Sequence, residues 1–306
     1  MDPLLSNTSE KINNHGWCPE LIKKAEINAY YFPNFILEIK NPLLRKILII
    51  LQRKLINQLR KIINLKRKIF VKYFEKKKED NFNKFKIVDL SKYSETYKEK
   101  GYCFVENFFD QNTYKKLMEH WPSENYFPTR AAQGKFYSFS IKYDLLDPVL
   151  LKEKSVNEKI KEVKNLDNIP LYKNFYKFLL STETNLNFKK LMPDSENEIW
   201  NFCLTILTSA KEKSFLIPHI DGYIRNEEIP KSCNVGIFLD GNNNNAIGSG
   251  SLGLYEDNQF KKPIFIPTNL KNCALIYDTQ KKFYHGFNFM EKNCYRKTIN
   301  LAYMKC

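Results

Sequence analysis

The sequence predicts an α+β protein in which helices precede a body of short strands. Three observations carry this reading. From Glu198 onward seven or eight β-prone runs follow within about 110 residues, among them IWNFCLTILTS, SFLIPHI, CNVGIFL, CALIYD and YRKTINLAYM, with Gly, Asn and Pro between them. Upstream, apolar residues recur three and four apart over a long basic stretch, which is a helical period. The chain of 306 residues is 43% hydrophobic and 14% aromatic, enough to bury a core and to exclude global disorder.

The charge divides the chain. Residues 1–87 hold 19 Lys and Arg against 8 Asp and Glu, a net of +11 out of +15, and the rest is close to neutral. Residues 1–87 therefore read as a basic helical extension and 88–306 as the globular domain. The extension is concentrated in residues 43–78, where Leu44, Leu48, Leu51, Leu55, Leu59, Ile62, Leu65 and Ile69 share one helical face. Between Arg45 and Lys78 there are 13 Lys and Arg and one acid, Glu75. Pro42 suits the first turn. Two readings stand for this helix: an interfacial helix on an anionic membrane or an acidic partner, and a helix packed on its own domain with a solvated basic face. Because the charge is local, a nucleic-acid partner is disfavoured.

No run near the N-terminus approaches the roughly 20 apolar residues that span a bilayer, Ile47 to Leu51 being the longest. The first 30 residues lack the order of a secretory signal. Seven scattered cysteines without a CxxC pair argue against a disulfide framework and fit a reducing, cytoplasmic compartment, with peripheral attachment at the inner membrane face as the membrane variant.

The body opens with a β-prone run at Tyr102 to Val105 after Gly101. Asp110 is then placed to cap a helix reaching about His120, before Pro122. Residues 155–193 read as mostly helical and polar. The tract GNNNNAIGSGS over residues 241–251 reads as a loop between strands. Cys203, Cys233, Cys273 and Cys294 read as small buried hydrophobes. Tyr255 and Tyr277 read as barrel-wall aromatics or as residues lining a pocket.

Among only four histidines, two stand in an informative pattern. His219, Ile220 and Asp221 form an HxD triplet at a strand end, where residues i and i+2 point to one side. His285 ends another β-run 64 residues after Asp221. Two imidazoles and one carboxylate on one face of an iron leave three positions open, as dioxygen chemistry with a bidentate co-substrate requires. Arg296 and Thr298 follow on the last run, sharing a strand face and offering a guanidinium fork with a hydroxyl to a carboxylate. Asn201, on the first long run, is a further candidate for holding the co-substrate. The ordinary alternative for His219 and His285 is a hydrogen-bonded pair of core histidines.

With these residues in place, residues from about 98 to 304 resemble the iron(II)/2-oxoglutarate-dependent dioxygenases, within them the prolyl-hydroxylase-like and phytanoyl-hydroxylase-like oxygenases. The opening EKGYCFVENFFDQNTYKKLMEHW is also similar to their lead-in strand and helix. The resemblance implies a double-stranded β-helix (jelly-roll) core. It implies Fe(2+) held by His219, Asp221 and His285, and 2-oxoglutarate held by Arg296 and Thr298. It implies consumption of O2, hydroxylation of an unactivated C–H, and release of succinate and CO2. Collagen-type relatives carry Lys where Arg296 stands, and base-repair relatives carry a second Arg where Ala302 stands, so neither subgroup's pattern is matched. The substrate expected is a small molecule, a glycan or lipid precursor, or a peptide. Two competing readings remain: a non-catalytic jelly-roll module that binds a membrane or acidic partner through its basic helix, and a cupin-like metal enzyme without 2-oxoglutarate.

Overall fold

The computed structural model describes residue 4 and residues 16–74, 82–127, 129–130, 136–142, 169–192, 200–220, 232–242 and 252–305. Helices α1 (Pro19–Tyr30), α2 (Asn34–Leu37) and α3 (Pro42–Phe74) come first, followed by α4 (Ser94–Lys100), which ends on Gly101 in the left-handed conformation at φ 73°. Strand β1 (Tyr102–Glu106) and helix α5 (Gln111–Glu119) follow. Asp110 caps α5 as the sequence predicts, its carboxylate accepting from the Thr113 amide at 2.9 Å.

Two short strands, β2 (Thr129–Arg130) and β3 (Phe136–Lys142), precede helices α6 (Pro170–Leu179) and α7 (Thr182–Lys189). The expected polar character of residues 155–193 is corrected for α6. Its Leu171, Tyr172, Phe175, Tyr176 and Leu179, three and four apart, are all buried. Residues 155–168 lie outside the described residues.

The remaining strands are β4 (Trp200–Lys211), β5 (Leu216–His219), β6 (Ser232–Gly241), β7 (Gly253–Tyr255), β8 (Pro263–Phe265), β9 (Cys273–Asp278), β10 (Tyr284–Phe287) and β11 (Tyr295–Lys305). They form two antiparallel sheets, of order β1-β9-β6-β11-β4-β3-β2 and β5-β10-β7-β8. From β4 to β11 the chain passes repeatedly from one sheet to the other. Side chains therefore alternate between two environments. Val235, Ile237, Leu239, Ile276, Ile299 and Leu301 join Phe175, Phe188 and the other helical side chains in the main core. Phe238 and Leu275, on the opposite face of the large sheet, pack with Leu254 of the small sheet.

The basic N-terminal segment is built onto this body. Trp17, Ile22, Ala25 and Ala29 are buried with Phe215 and Ile217, so α1 covers β5. Helix α3 buries Ile49 with Leu4, Phe32 and Ile36 and is otherwise held by a polar edge. Arg53 donates to the Leu4 carbonyl at 2.7 Å and pairs with Glu26 at 3.1 Å; Arg60 donates to the Ala29 carbonyl, and Arg67 to that of Phe127 at 2.8 Å. The apolar stripe predicted for this helix faces away from the body. Of its eight members only Leu48 is partly buried, while Leu55 is 55% and Ile62 64% exposed. Packing on its own domain through that stripe is thereby overturned. Each such Leu or Ile left in water forgoes about 1.5–3 kcal/mol of burial.

Candidate active site

His219 closes β5 and His285 stands second in β10, and the two are direct cross-strand partners. Their ring centroids lie 4.3 Å apart. Two local features aim them. Pro218 has no amide to donate, and the register slips by one residue between the pairs His285–His219 and Phe287–Leu216, a bulge that re-aims the end of β5. Gly286 lets the strands close up, since a Cβ there would stand 2.5 Å from the Leu216 carbonyl oxygen.

Each imidazole is oriented by the backbone two residues earlier. His219 Nδ1 lies 2.8 Å from the Ile217 carbonyl and His285 Nδ1 3.4 Å from that of Phe283. A carbonyl only accepts, so Nδ1 carries a proton in both rings, an arrangement that leaves Nε2 as the nitrogen for a metal. Asp221 lies outside the described residues, and among the described residues no three His, Cys, Asp or Glu side chains form a metal-binding group.

Tyr277 of β9 is the large-sheet neighbour of this pair. Its ring centroid is 5.2 Å from that of His285, and its hydroxyl accepts from Asn234 Nδ2 at 3.3 Å. The lining reading of Tyr277 thus has a geometric basis. Tyr255 is buried against Phe260 with ring centroids 5.0 Å apart and reads as wall.

Arg296, early in β11, is 2% exposed. Its guanidinium carbon sits 4.1 Å from the centroid of Phe287, the residue two beyond His285 on the same strand face. Burial pushes the guanidinium down to about 9, because the charged form loses its hydration. Thr298, also buried, pairs across the ladder with Thr208. Asn300 continues the same face and donates to Thr208 Oγ1 at 3.2 Å. A polar row of Arg296, Thr298, Asn300 and Thr208 therefore lies on the face opposite Ile299 and Leu301, which belong to the helix-side core.

The structure does not bring Asn201 to this group. Asn201 pairs with Met304, whereas Arg296 pairs with Ala210. Nine residues of strand separate Asn201 from Ala210, on the order of 30 Å. One small co-substrate cannot bridge that span, so Asn201 is withdrawn as a binding residue. Sequence reading passed over Asn300, Thr208 and Asn234. The signal for Asn300 was the alternation in β11, where polar residues 296, 298 and 300 interleave with apolar residues 299 and 301.

Thiol chemistry has no support here. Burial pushes both Cys233 and Cys273 up to about 12, as fits buried small hydrophobes. Cys294 is only partly buried and precedes β11 rather than lying in it. The Cys203 side chain lies outside the described residues.

No family model and no curated protein matches the chain. Solved structures do match, and those named here are 2-oxoglutarate/Fe(II) oxygenases. One is a 2OG-Fe(II) oxygenase family oxidoreductase from Burkholderia pseudomallei, at 12% identity and a TM-score of 0.47 over 70% of this chain and 89% of that one. A Pseudomonas putida prolyl-4-hydroxylase matches at 8% identity and a TM-score of 0.48 over 71% and 99%. HygX from Streptomyces hygroscopicus, solved with nickel, 2-oxoglutarate and hygromycin B, matches at 9% identity and a TM-score of 0.42 over 69% and 85%.

Proposed function

We propose that this chain is an Fe(II)- and 2-oxoglutarate-dependent dioxygenase that hydroxylates an unactivated C–H bond, on a double-stranded β-helix formed by the strands that alternate between the two sheets. The observation that carries the reading is the cross-strand pair His219–His285, whose ring centroids lie 4.3 Å apart, with the buried Arg296 of the other sheet over Phe287, two residues beyond His285.

The residues present fit an iron ion. Two imidazoles with Nδ1 turned to carbonyls present Nε2, and the carboxylate of Asp221 completes the HxD donor set while cancelling one positive charge. Bound there, iron(II) with 2-oxoglutarate and O2 would supply oxidative decarboxylation to succinate and CO2, coupled to hydroxylation of the substrate.

The chain's own residues do the positioning. Arg296 meets the distal carboxylate of the co-substrate with a bidentate fork, and Thr298 adds a hydroxyl on the same strand face. A guanidinium already stripped of water binds an anion without a further desolvation penalty on its own side. Phe287 covers the guanidinium from the small sheet. Tyr277, held by Asn234, fixes the plane of His285 from the large sheet. The substrate is a small molecule, a glycan or lipid precursor, or a peptide side chain.

Anaerobic addition of iron(II) and then 2-oxoglutarate to the purified protein tests this reading. A visible metal-to-ligand charge-transfer band should appear only when both are present. Iron binding without a band would favour a cupin-like metal site, and binding of neither would make the fold a scaffold.

A further inference from the structure

Helix α3 carries its charge in an order that its fold does not use up. Arg-Lys pairs recur at residues 53–54, 60–61 and 67–68, seven apart, so each residue type forms its own row along the helix. The arginine row faces inward and grips the carbonyls of Leu4, Ala29 and Phe127. The lysine row, one residue further on, is exposed along the margin of the outward apolar stripe. Along that stripe Leu44, Leu51, Leu55, Ile62, Leu65 and Ile69 are all exposed. Tyr73, four residues beyond Ile69, extends it at 66% exposure.

We propose that this outward face of α3 docks in the plane of an anionic lipid surface, with the apolar stripe at the acyl boundary and Lys54, Lys61 and Lys68 at headgroup depth. The inference is independent of the catalytic reading. Charge complementarity selects the occupant, since residues 42–74 hold ten Lys and Arg and no Asp or Glu. The same charge rules against a second copy of the chain. The 4-and-3 spacing of the stripe would suit a coiled-coil seam, but its flanks are Lys54, Lys61, Lys66 and Lys68, with no acid to pair them. Among the described residues no helix is long and apolar enough to cross a membrane, so α3 lies on the surface. A long basic helix with an apolar stripe and aromatic side chains at one end has the pattern of an interfacial helix. The inward arginines fix which face the surface meets.

The test is co-sedimentation of the full chain with vesicles of phosphatidylcholine alone and of phosphatidylcholine with phosphatidylserine. The protein should sediment with the phosphatidylserine vesicles, and added salt should release it. Each Lys54→Gln, Lys61→Gln or Lys68→Gln change should weaken partition by about fivefold. Leu55→Asp with Ile62→Asp should abolish binding while leaving the thermal midpoint unchanged, because both side chains are exposed in the free protein. Equal binding to both vesicle types would overturn the proposal. So would failure to bind either, including failure because the stripe is closed in a dimer visible by sedimentation velocity. Because α3 contributes none of His219, His285 or Arg296, loss of vesicle binding with the charge-transfer band intact would count against this inference alone.

Discussion

The guanidinium of Arg296 sits over the ring of Phe287, its central carbon 4.1 Å from the ring centroid, and Phe287 shares a strand face with His285. The contact fixes the arginine while shielding it from water. Replacing Arg296 by Met should weaken 2-oxoglutarate binding by about thirtyfold or more, as for one partner of a buried ion pair. Isothermal titration of the metal-loaded protein reads this directly, and an unchanged affinity would remove Arg296 from the site.

The same residue sets a pH dependence. Burial brings its guanidinium down to about 9, so it is charged below that value and neutral above it. Affinity for the dicarboxylate should therefore hold from neutrality upward and fall as pH rises through about 9. The folded state binds fewer protons than the unfolded chain between about 9 and the ordinary arginine range, so this group by itself raises stability as pH increases there. An affinity still flat well above pH 9 would contradict the burial argument.

His219→Ala and His285→Ala should each abolish the charge-transfer band. His120→Ala should leave it intact, because His120 stands at the end of α5, where its amide is bonded to the Lys116 carbonyl, and not on β5 or β10. A band that survives loss of either strand histidine would return the pair to the status of hydrogen-bonded core residues.

Gly286→Ala should destabilise the fold by about 1–3 kcal/mol, the usual range for overpacking, because the new Cβ meets a backbone oxygen at 2.5 Å. Gly236→Ala meets nothing nearer than the tip of Leu252, at 3.4 Å, and should cost less. Calorimetric melts of the two variants compare them, and equal costs would mean that the β5–β10 approach is not tight.

Asn272 ties the turn before β9 to the entry of α5. Its side chain accepts from the Phe109 amide at 2.9 Å and donates to the Phe109 carbonyl at 2.8 Å, all within the interior. Asn272→Ala strands two buried backbone groups and should cost about 2–4 kcal/mol in urea unfolding. A loss below 1 kcal/mol, on the order of a single exposed hydrogen bond, would show that water replaces the side chain.

Much of the strand region was legible because short β-runs bounded by Gly, Asn and Pro carry their own limits. CALIYD became β9 and CNVGIFL the centre of β6, and His219 and His285 met because the end of β5 pairs antiparallel with the start of β10. Asn201 failed for a reason that no local pattern reveals: strand register fixes distance along a sheet, and register is set by pairing with distant residues. The outward turn of the α3 stripe was equally hidden. Periodicity shows that a helix has an apolar face but not whether its own domain covers it, and here Ile49 and the arginines, rather than most of the stripe, make the internal contacts.

The burial of Trp17, Ile22 and Ala29 against Phe215 and Ile217 also sets an order of events during synthesis. These partners lie about two hundred residues apart, so the N-terminal helices leave the ribosome long before the strand that receives them, a high-contact-order closure that comes late in folding. In that interval α3 is already complete and locally encoded. A nascent chain would thus present its basic helix to its surroundings before it could assemble the interior between its sheets.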